Sequence, residues 1–129
     1  MVIDSSALLA ILLDEPEAAD FLQAIRGSRE RRVSAANFLE TGIVLRRGKG
    51  RPQRLFEELI AALRISIVPV TEQQARAALE AFNIYGKGQG HPAGLNLGDC
   101  FAYALAKVCA EPLLFKGSDF SHTDIKSVV

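Results

Sequence analysis

The chain has 129 residues, of which 49% are hydrophobic and 23% charged, and its 15 basic and 15 acidic residues leave no net charge. This length suits one domain over residues 1–129, large enough to bury a core without disulfides. No apolar run approaches the roughly 18 residues that a membrane span needs, and no basic leader precedes "VID", so we expect a cytoplasmic protein.

The first half of the chain is predicted to alternate short strands with helices. The apolar start "MVID" predicts a strand, and "SALLAILLD" and "EPEAADFLQAIR" predict two helical pieces. A short strand at Arg32–Val33 then precedes a helix from Ser34 to about Arg47. After the basic connection "RGKGRPQR", a helix is expected to begin at Pro52 and to run to about Leu63.

The second half repeats this alternation. The β-branched run "ISIVPV" predicts a strand, and "TEQQARAALEAF" predicts a helix capped by Thr71. A glycine-rich loop, "IYGKGQGHPAGLN", leads to the helix "LGDCFAYALAK", and "PLLF" and "IKSVV" predict two final strands. Strands that alternate with helices indicate βαβ units around a parallel sheet, so we expect one α/β domain.

Acidic residues recur where predicted strands end. Asp4 ends the first strand, and Asp119 and Asp124 follow the strand "PLLF". Asp99 lies in the first turn of the alanine-rich helix, and Glu40 lies in mid-helix among apolar or neutral neighbours. Because the carboxyl ends of parallel strands share one edge of the sheet, where ligands bind, three or four of these carboxylates are expected to converge there.

Each acid also has a structural alternative. Asp4 could be a helix N-cap, and Asn96 with Asp99 has the spacing of a variant capping box. Glu40 could be a solvated boundary residue, and Asp119 or Asp124 could cap a turn. Converging carboxylates would, however, repel one another. Oxygen ligands of this kind suit Mg²⁺ or Mn²⁺, which activate water for phosphodiester cleavage, so we favour a metal site.

Four stretches of the sequence resemble the acidic motifs of PIN-domain nucleases, specifically VapC-type toxins of toxin–antitoxin pairs. They are "VIDSSALLAILLDEPEA", "SAANFLETGIVL", "HPAGLNLGDCFAYALAK" and "PLLFKGSDFSHTDI", and the resemblance runs from Met1 to about Ile125. It implies a three-layer α/β/α fold with a central parallel sheet of about five strands. It also implies that Mg²⁺ or Mn²⁺ is held by four acids, Asp4, Glu40, Asp99 and Asp119. Ser6 and Asp124 are expected beside this set, and how Asp119 and Asp124 share the fourth role stays open.

The same resemblance implies a function and two protein partners. The expected activity is a Mg²⁺-dependent endoribonuclease that acts as a toxin, forms a homodimer and is inhibited by a cognate antitoxin covering its acidic site. Two alternatives are a phosphotransfer domain that uses Asp4 and a catalytically inactive binding module of the same fold.

Basic residues are unevenly distributed. The segment from Arg26 to Arg54 holds nine of the 15 basic residues and only two acids, which indicates a polyanionic partner. Arg46 and Arg47 belong to a basic run that could contact RNA phosphates or an acidic antitoxin segment, or could form a solvated turn. Lys116, next to the expected site, and Lys87, in the glycine-rich loop, are better placed to contact phosphates.

Overall fold

Four parallel strands form a central sheet in residues 1–48 and 53–129, the part of the chain that this computed structural model describes. They are β1 (Val2–Ile3), β2 (Arg32–Ser34), β3 (Ser66–Val68) and β4 (Leu113–Leu114), in the order β3-β2-β1-β4. Val2 pairs with Arg32 on one side and with Leu113 on the other. The parallel sheet predicted from the sequence is therefore confirmed.

Helices connect and flank these strands, as the alternating pattern predicted. They are α1 (Ser5–Leu12), α2 (Ala18–Arg26), α3 (Ala35–Arg47), α4 (Gln53–Ala62), α5 (Glu72–Tyr85) and α6 (Leu97–Cys109), with a 3₁₀ turn at Asp119–His122. The expected helix start at Pro52 and part of the basic connection fall on residues 49–52, outside the described residues. None of the described helices combines the length and apolar character needed to cross a membrane.

Side chains of the central strands alternate between two cores, because successive residues of a strand point to opposite faces of the sheet. Ile3 and Leu114 pack in one core with α1, α2, α3 and α4. Val2 and Leu113 pack in the other core with α5 and α6. All four side chains are fully buried. The fold is therefore the three-layer α/β/α arrangement that the resemblance implied.

The sheet differs from the expectation of about five strands in one detail. The C-terminal segment "IKSVV" meets β4 only through a single parallel bridge between Leu113 and Ser127. Leu113 donates its amide to the Lys126 carbonyl at 2.8 Å, and the Val128 amide donates to the Leu113 carbonyl at 3.1 Å. Because β4 is only two residues long, it offers little length for a further strand to pair with.

The order of the strands places a topological switch point between β1 and β4. The chain leaves β1 for β2 and β3 on one side and returns to β4 on the other, so the connection reverses direction at β1. The Asp4 amide donates to the Leu114 carbonyl at 2.9 Å, which holds the two strand ends together. This reversal is the position at which open α/β sheets bind ligands.

Candidate active site

Asp4 lies directly after β1 and is only 3% exposed. Its Oδ2 accepts hydrogen bonds from the Ser6 amide at 3.0 Å and the Ser6 hydroxyl at 2.6 Å, so Asp4 is also the N-cap of α1. Burial raises the pKa of this carboxyl to about 6, although the Ser6 hydrogen bonds oppose the shift. The negative charges of Asp99 and Glu40 raise the pKa further, and Ser5, the residue after Asp4, donates a hydrogen bond to Glu40 Oε1.

Glu40 reaches the same edge from α3. Its Oε1 accepts a hydrogen bond from the Ser5 hydroxyl at 2.5 Å and a longer one from Asn37 Nδ2 at 3.3 Å. Its carboxylate also lies against the backbone of Gly98, where a Cβ atom would collide with it. Glu40 is therefore half-buried and hydrogen-bonded by neutral donors.

Asp99 occupies the first turn of α6 and forms the capping box that its spacing from Asn96 predicted. The Asn96 amide donates to Asp99 Oδ2 at 3.0 Å, and the Asp99 amide donates to Asn96 Oδ1 at 2.9 Å. Partial burial raises the pKa of Asp99, the hydrogen bond from Asn96 opposes this, and the charges of Asp119 and Glu40 add to the increase. Asp99 thus caps a helix and also lies among other acids.

Asp119 lies at the start of the 3₁₀ turn that follows β4, and it is exposed. Its negative charge contributes to the raised pKa of Asp99. The four acids thus follow β1, lie on α3 and α6, and follow β4, around the carboxyl edge of the sheet. That they form one site stays a prediction.

Among the described residues, none of the four acids is paired with a Lys or Arg side chain. In that same part of the chain, no three Asp, Glu, His or Cys side chains lie close enough together to enclose a metal ion as they stand. Asp4, Glu40 and Asp99 each have one carboxylate oxygen in a hydrogen bond within the protein. The donor chemistry fits Mg²⁺ or Mn²⁺, and binding would require the carboxylate groups to draw closer around a common ion.

Ser6 connects the two strand ends beside Asp4. Its hydroxyl donates to Asp4 Oδ2 and accepts a hydrogen bond at 3.0 Å from the Lys116 amide, just after β4. The Lys116 ammonium group, however, is paired with Glu15 at 2.6 Å and Glu17 at 3.1 Å. These hydrogen bonds raise the pKa of Lys116, and its charge is engaged by the segment after α1.

Asp124 is hydrogen-bonded to two partners on the later turns of α6. It accepts hydrogen bonds from the Tyr103 hydroxyl at 2.6 Å and from Lys107 Nζ at 2.8 Å. The bond to Lys107 lowers the pKa of Asp124. Tyr103 and Lys107 lie one and two helical turns beyond Asp99, so the described contacts of Asp124 do not join it to the four-acid group.

The remaining basic candidates lie on the surface. Arg46 and Arg47 form the exposed last turn of α3. Lys87 is exposed just after α5, where its amide donates to the Leu95 carbonyl at 2.8 Å. Within the described residues, none of these three side chains forms a hydrogen bond or an ion pair with any of the four acids.

Three residues that sequence reasoning missed surround Glu40: Ser5, Asn37 and Gly98. One signal was available, because an Asn three residues before a Glu on a helix lies on the same face. Ser5 and Gly98 lie on other helices, 35 and 58 residues from Glu40 in the sequence. No local pattern therefore predicts these two contacts.

Comparison with known proteins identifies the family. The PIN domain family matches residues 1–126. The chain is 49% identical over 127 residues to ribonuclease VapC28 of Mycobacterium tuberculosis, an alignment covering 98% of this chain and 96% of the relative. The chain belongs to the VapC-type PIN-domain family. A second VapC relative from that organism, ribonuclease VapC30, is 48% identical over 129 residues, covering 99% of this chain and 98% of the relative.

Solved structures share the PIN fold with this VapC-type chain. The crystal structure of VapC20 of Mycobacterium tuberculosis, described as a sarcin–ricin loop cleaving toxin, superposes with a TM-score of 0.74 at 14% identity, covering 96% of this chain and 95% of VapC20. A chain of a toxin–antitoxin complex from Klebsiella pneumoniae gives a TM-score of 0.69 at 17% identity, covering 93% of this chain and 89% of that chain. Membership of this family argues against the phosphotransfer alternative.

Proposed function

We propose that residues 1–129 form one metal-dependent endoribonuclease domain that acts as the toxin of a toxin–antitoxin pair. The observation that supports this proposal is the position of Glu40, without a cationic partner among the described residues, between Ser5 beside Asp4 and Gly98 beside Asp99 at the carboxyl edge of the sheet. The near full-length relatives named as VapC ribonucleases support the same activity.

The chemistry follows from the donor groups at this edge. Asp4, Glu40, Asp99 and Asp119 would hold Mg²⁺ or Mn²⁺, which when bound supplies Lewis-acid activation of water and of the scissile phosphate. Ser6 keeps the Asp4 carboxylate oriented through two hydrogen bonds, and the Asn96 amide does the same for Asp99. Water adds to the phosphorus and the P–O3′ bond breaks, which leaves 5′-phosphate and 3′-hydroxyl ends, and the 2′-hydroxyl takes no part.

RNA would contact basic side chains around the site. Lys87 is exposed just after α5, and Arg46 and Arg47 are exposed at the end of α3, so each is accessible to a phosphate. Lys116 would first have to exchange its pairs with Glu15 and Glu17 for a phosphate oxygen. Lys87 is therefore the first of these candidates to test.

We expect the purified protein to cleave RNA with Mg²⁺ or Mn²⁺ and to lose this activity in excess EDTA, because the proposed site contains only carboxylates. The measurement is the initial cleavage rate on a structured RNA pool, followed by mapping of the product ends. A substrate with a 2′-deoxy sugar at the mapped position should be cleaved at a similar rate.

Undiminished cleavage in chelator would contradict the metal requirement. Products with 2′,3′-cyclic phosphate ends would contradict the role given to water. Absence of cleavage with any divalent ion would favour the inactive binding module.

An antitoxin protein is the proposed inhibitor of this activity. The Klebsiella pneumoniae chain with the same fold belongs to a toxin–antitoxin complex, which supports a similar assembly here. The antitoxin would obstruct the acidic edge. A small DNA-binding type of protein encoded directly upstream would be the candidate to test for inhibition of RNA cleavage.

We also propose that the protein is a homodimer. An apolar groove of about 450 Å³ between α5 and α6 supports this, since Leu79 is 63% exposed and Leu97 is 74% exposed at its borders. The groove is lined by Ala75, Ala78, Leu79, Phe82, Leu97, Cys100 and Phe101. Because Leu97 lies two residues before Asp99, a second copy on this groove would lie beside the acidic site.

Leu79→Glu is expected to convert the dimer to a monomer, because a charge would be buried at the contact between the two copies. Sedimentation velocity measures the change, and circular dichroism checks that the fold is retained. Leu39→Glu is a matched control, since Leu39 is 62% exposed but lies on α3. A wild-type protein that sediments as a monomer at all concentrations would refute the homodimer.

A further inference from the structure

Asn37 is a fully buried amide one turn before Glu40 on α3. Its Nδ2 donates to the Gly98 carbonyl at 2.9 Å and to Glu40 Oε1 at 3.3 Å. The opposite orientation of the amide would direct its oxygen at two acceptors, so these partners determine which way the amide group points. Asn37 therefore links the helix that carries Glu40 to the first turn of the helix that carries Asp99.

Ser5 acts on the same oxygen of Glu40 from a third helix, α1. Its hydroxyl donates to Glu40 Oε1 at 2.5 Å, and it also lies 3.3 Å from the Asn37 carbonyl. Two neutral donors thus hold Oε1 inside the protein. The other carboxylate oxygen, Oε2, is left over the Gly98 backbone at the start of α6.

Gly98 supplies the space in which this carboxylate lies. A Cβ atom at this position would collide with both carboxylate oxygens of Glu40. Glycine is a poor helix former compared with alanine, and Gly98 lies within α6. Its presence is therefore explained by the room it leaves for Glu40 rather than by helix stability.

The amide of Asn37 also has a feature that stability alone does not explain. Its Oδ1 is buried and has no hydrogen-bond partner among the described residues. A buried acceptor without a partner disfavours the folded state. The contribution of this side chain therefore comes from its Nδ2 group, which donates hydrogen bonds to Glu40 and to the Gly98 carbonyl.

From these contacts, we propose that Asn37 is a positioning residue, and that Ser5, Asn37 and Gly98 form a Glu40 socket. The socket holds Oε1 of Glu40 within the protein and leaves Oε2, over the Gly98 backbone beside Asp99, as the oxygen that would bind the cation. This inference rests on the proposed function, since it assigns to Glu40 a share in binding a divalent cation. Loss of such indirect support typically weakens metal binding or activity by about 10- to 100-fold.

The test compares Asn37→Leu, Gly98→Ala and a matched control, Thr41→Val. Leucine keeps the size of asparagine but removes both donors, and alanine favours the helix while displacing the Glu40 carboxylate. Thr41 is as buried as Asn37 on the same helix, and its hydroxyl donates to the Asn37 carbonyl at 2.8 Å rather than to Glu40. The readouts are Mn²⁺ affinity by calorimetry without RNA, the RNA cleavage rate and thermal melting.

We expect Asn37→Leu and Gly98→Ala to weaken Mn²⁺ binding by about 10-fold or more, with kcat reduced and melting little changed. Thr41→Val should bind Mn²⁺ and cleave RNA like the wild type. In a Glu40→Gln background, Asn37→Leu should have no further effect on Mn²⁺ affinity, because the two changes act through one carboxylate. The socket would be overturned if Asn37→Leu kept the wild-type Mn²⁺ affinity and cleavage rate. It would also be overturned if Asn37→Leu weakened Mn²⁺ binding equally in the wild-type and Glu40→Gln backgrounds.

A separate measurement distinguishes failure of the socket from failure of the proposed function. In metal-free protein, the side-chain amide protons of Asn37 should exchange slowly in NMR spectra and shift in Gly98→Ala and Glu40→Gln. If the wild type shows these signals but neither binds Mn²⁺ nor cleaves RNA, the proposed function fails. The contacts of the socket would then stand, but Glu40 would have no share in cation binding. Fast exchange and unshifted signals would overturn the socket even in an active enzyme.

Discussion

Replacing Asp99 by Asn is expected to lower the rate of RNA cleavage by at least about 100-fold while leaving the fold intact. Asp99 is a proposed metal ligand, and the loss of one such ligand would remove several kcal/mol of charge stabilisation. Asparagine can still accept the hydrogen bond from the Asn96 amide that now goes to Asp99 Oδ2. Burial and the nearby acids raise the pKa of Asp99, so its charge is unfavourable without metal. The variant should therefore melt close to the wild type in metal-free buffer.

The control for Asp99→Asn is Asn96→Ala, which removes the other half of the capping box and keeps the charge of Asp99. Loss of this N-cap should cost about 1 kcal/mol of stability and leave most of the cleavage rate. Initial rates at saturating Mg²⁺ and melting curves in EDTA measure the two effects. If Asp99→Asn melts much earlier but cleaves normally, capping is the only role of this residue.

Replacing Asp4 by Asn is expected to raise stability at pH 7 and to abolish RNA cleavage. Asp4 is buried, and its pKa is raised from 3.8 to about 6. Between these two values the folded protein binds more protons than the unfolded chain, so its stability falls as the pH rises. A difference of about two pKa units corresponds to about 3 kcal/mol of unfolding free energy, which the neutral side chain would recover in the metal-free protein.

The measurement for Asp4→Asn is urea unfolding in EDTA at several values between pH 4 and pH 7. The difference between variant and wild type should be small near pH 4 and should grow up to about pH 6, as Asp4 ionises. Added Mg²⁺ should stabilise the wild type and not the variant, because the proposed site exists only in the folded protein and needs the Asp4 carboxylate. A difference in stability that does not change with pH would show that burial of this charge is not the cause.

The sequence predicted those features of the fold and site that depend on local patterns. The spacing of Asn96 and Asp99 predicted the observed capping box, and the position of Asp4 after an apolar run placed it at the edge of the sheet. In both cases the capping alternative is present, and it is compatible with the proposed role of the same carboxylate in a metal site. A helix N-terminus favours a negative charge, so the same carboxylate can serve both purposes.

What the sequence did not predict depends on contacts between distant elements. The partners of Asp124 lie 21 and 17 residues before it on α6, and nothing in "FSHTDI" indicates them. The Glu40 socket likewise joins three helices. The segment "IKSVV" was predicted to be a strand because its β-branched residues favour one. It forms only a single bridge, since β4 offers only two residues for pairing.

The local neutralisation of Lys116 has a thermodynamic consequence for the proposed nuclease. Since Glu15 and Glu17 already balance this ammonium group, it does not offset the charge of the four acids, and a metal-free edge would repel an approaching phosphate. The cation would remove that repulsion, so the two ligands should bind with positive cooperativity. Because such coupling is reciprocal, RNA would raise the affinity for the cation by the same factor by which the cation raises the affinity for RNA.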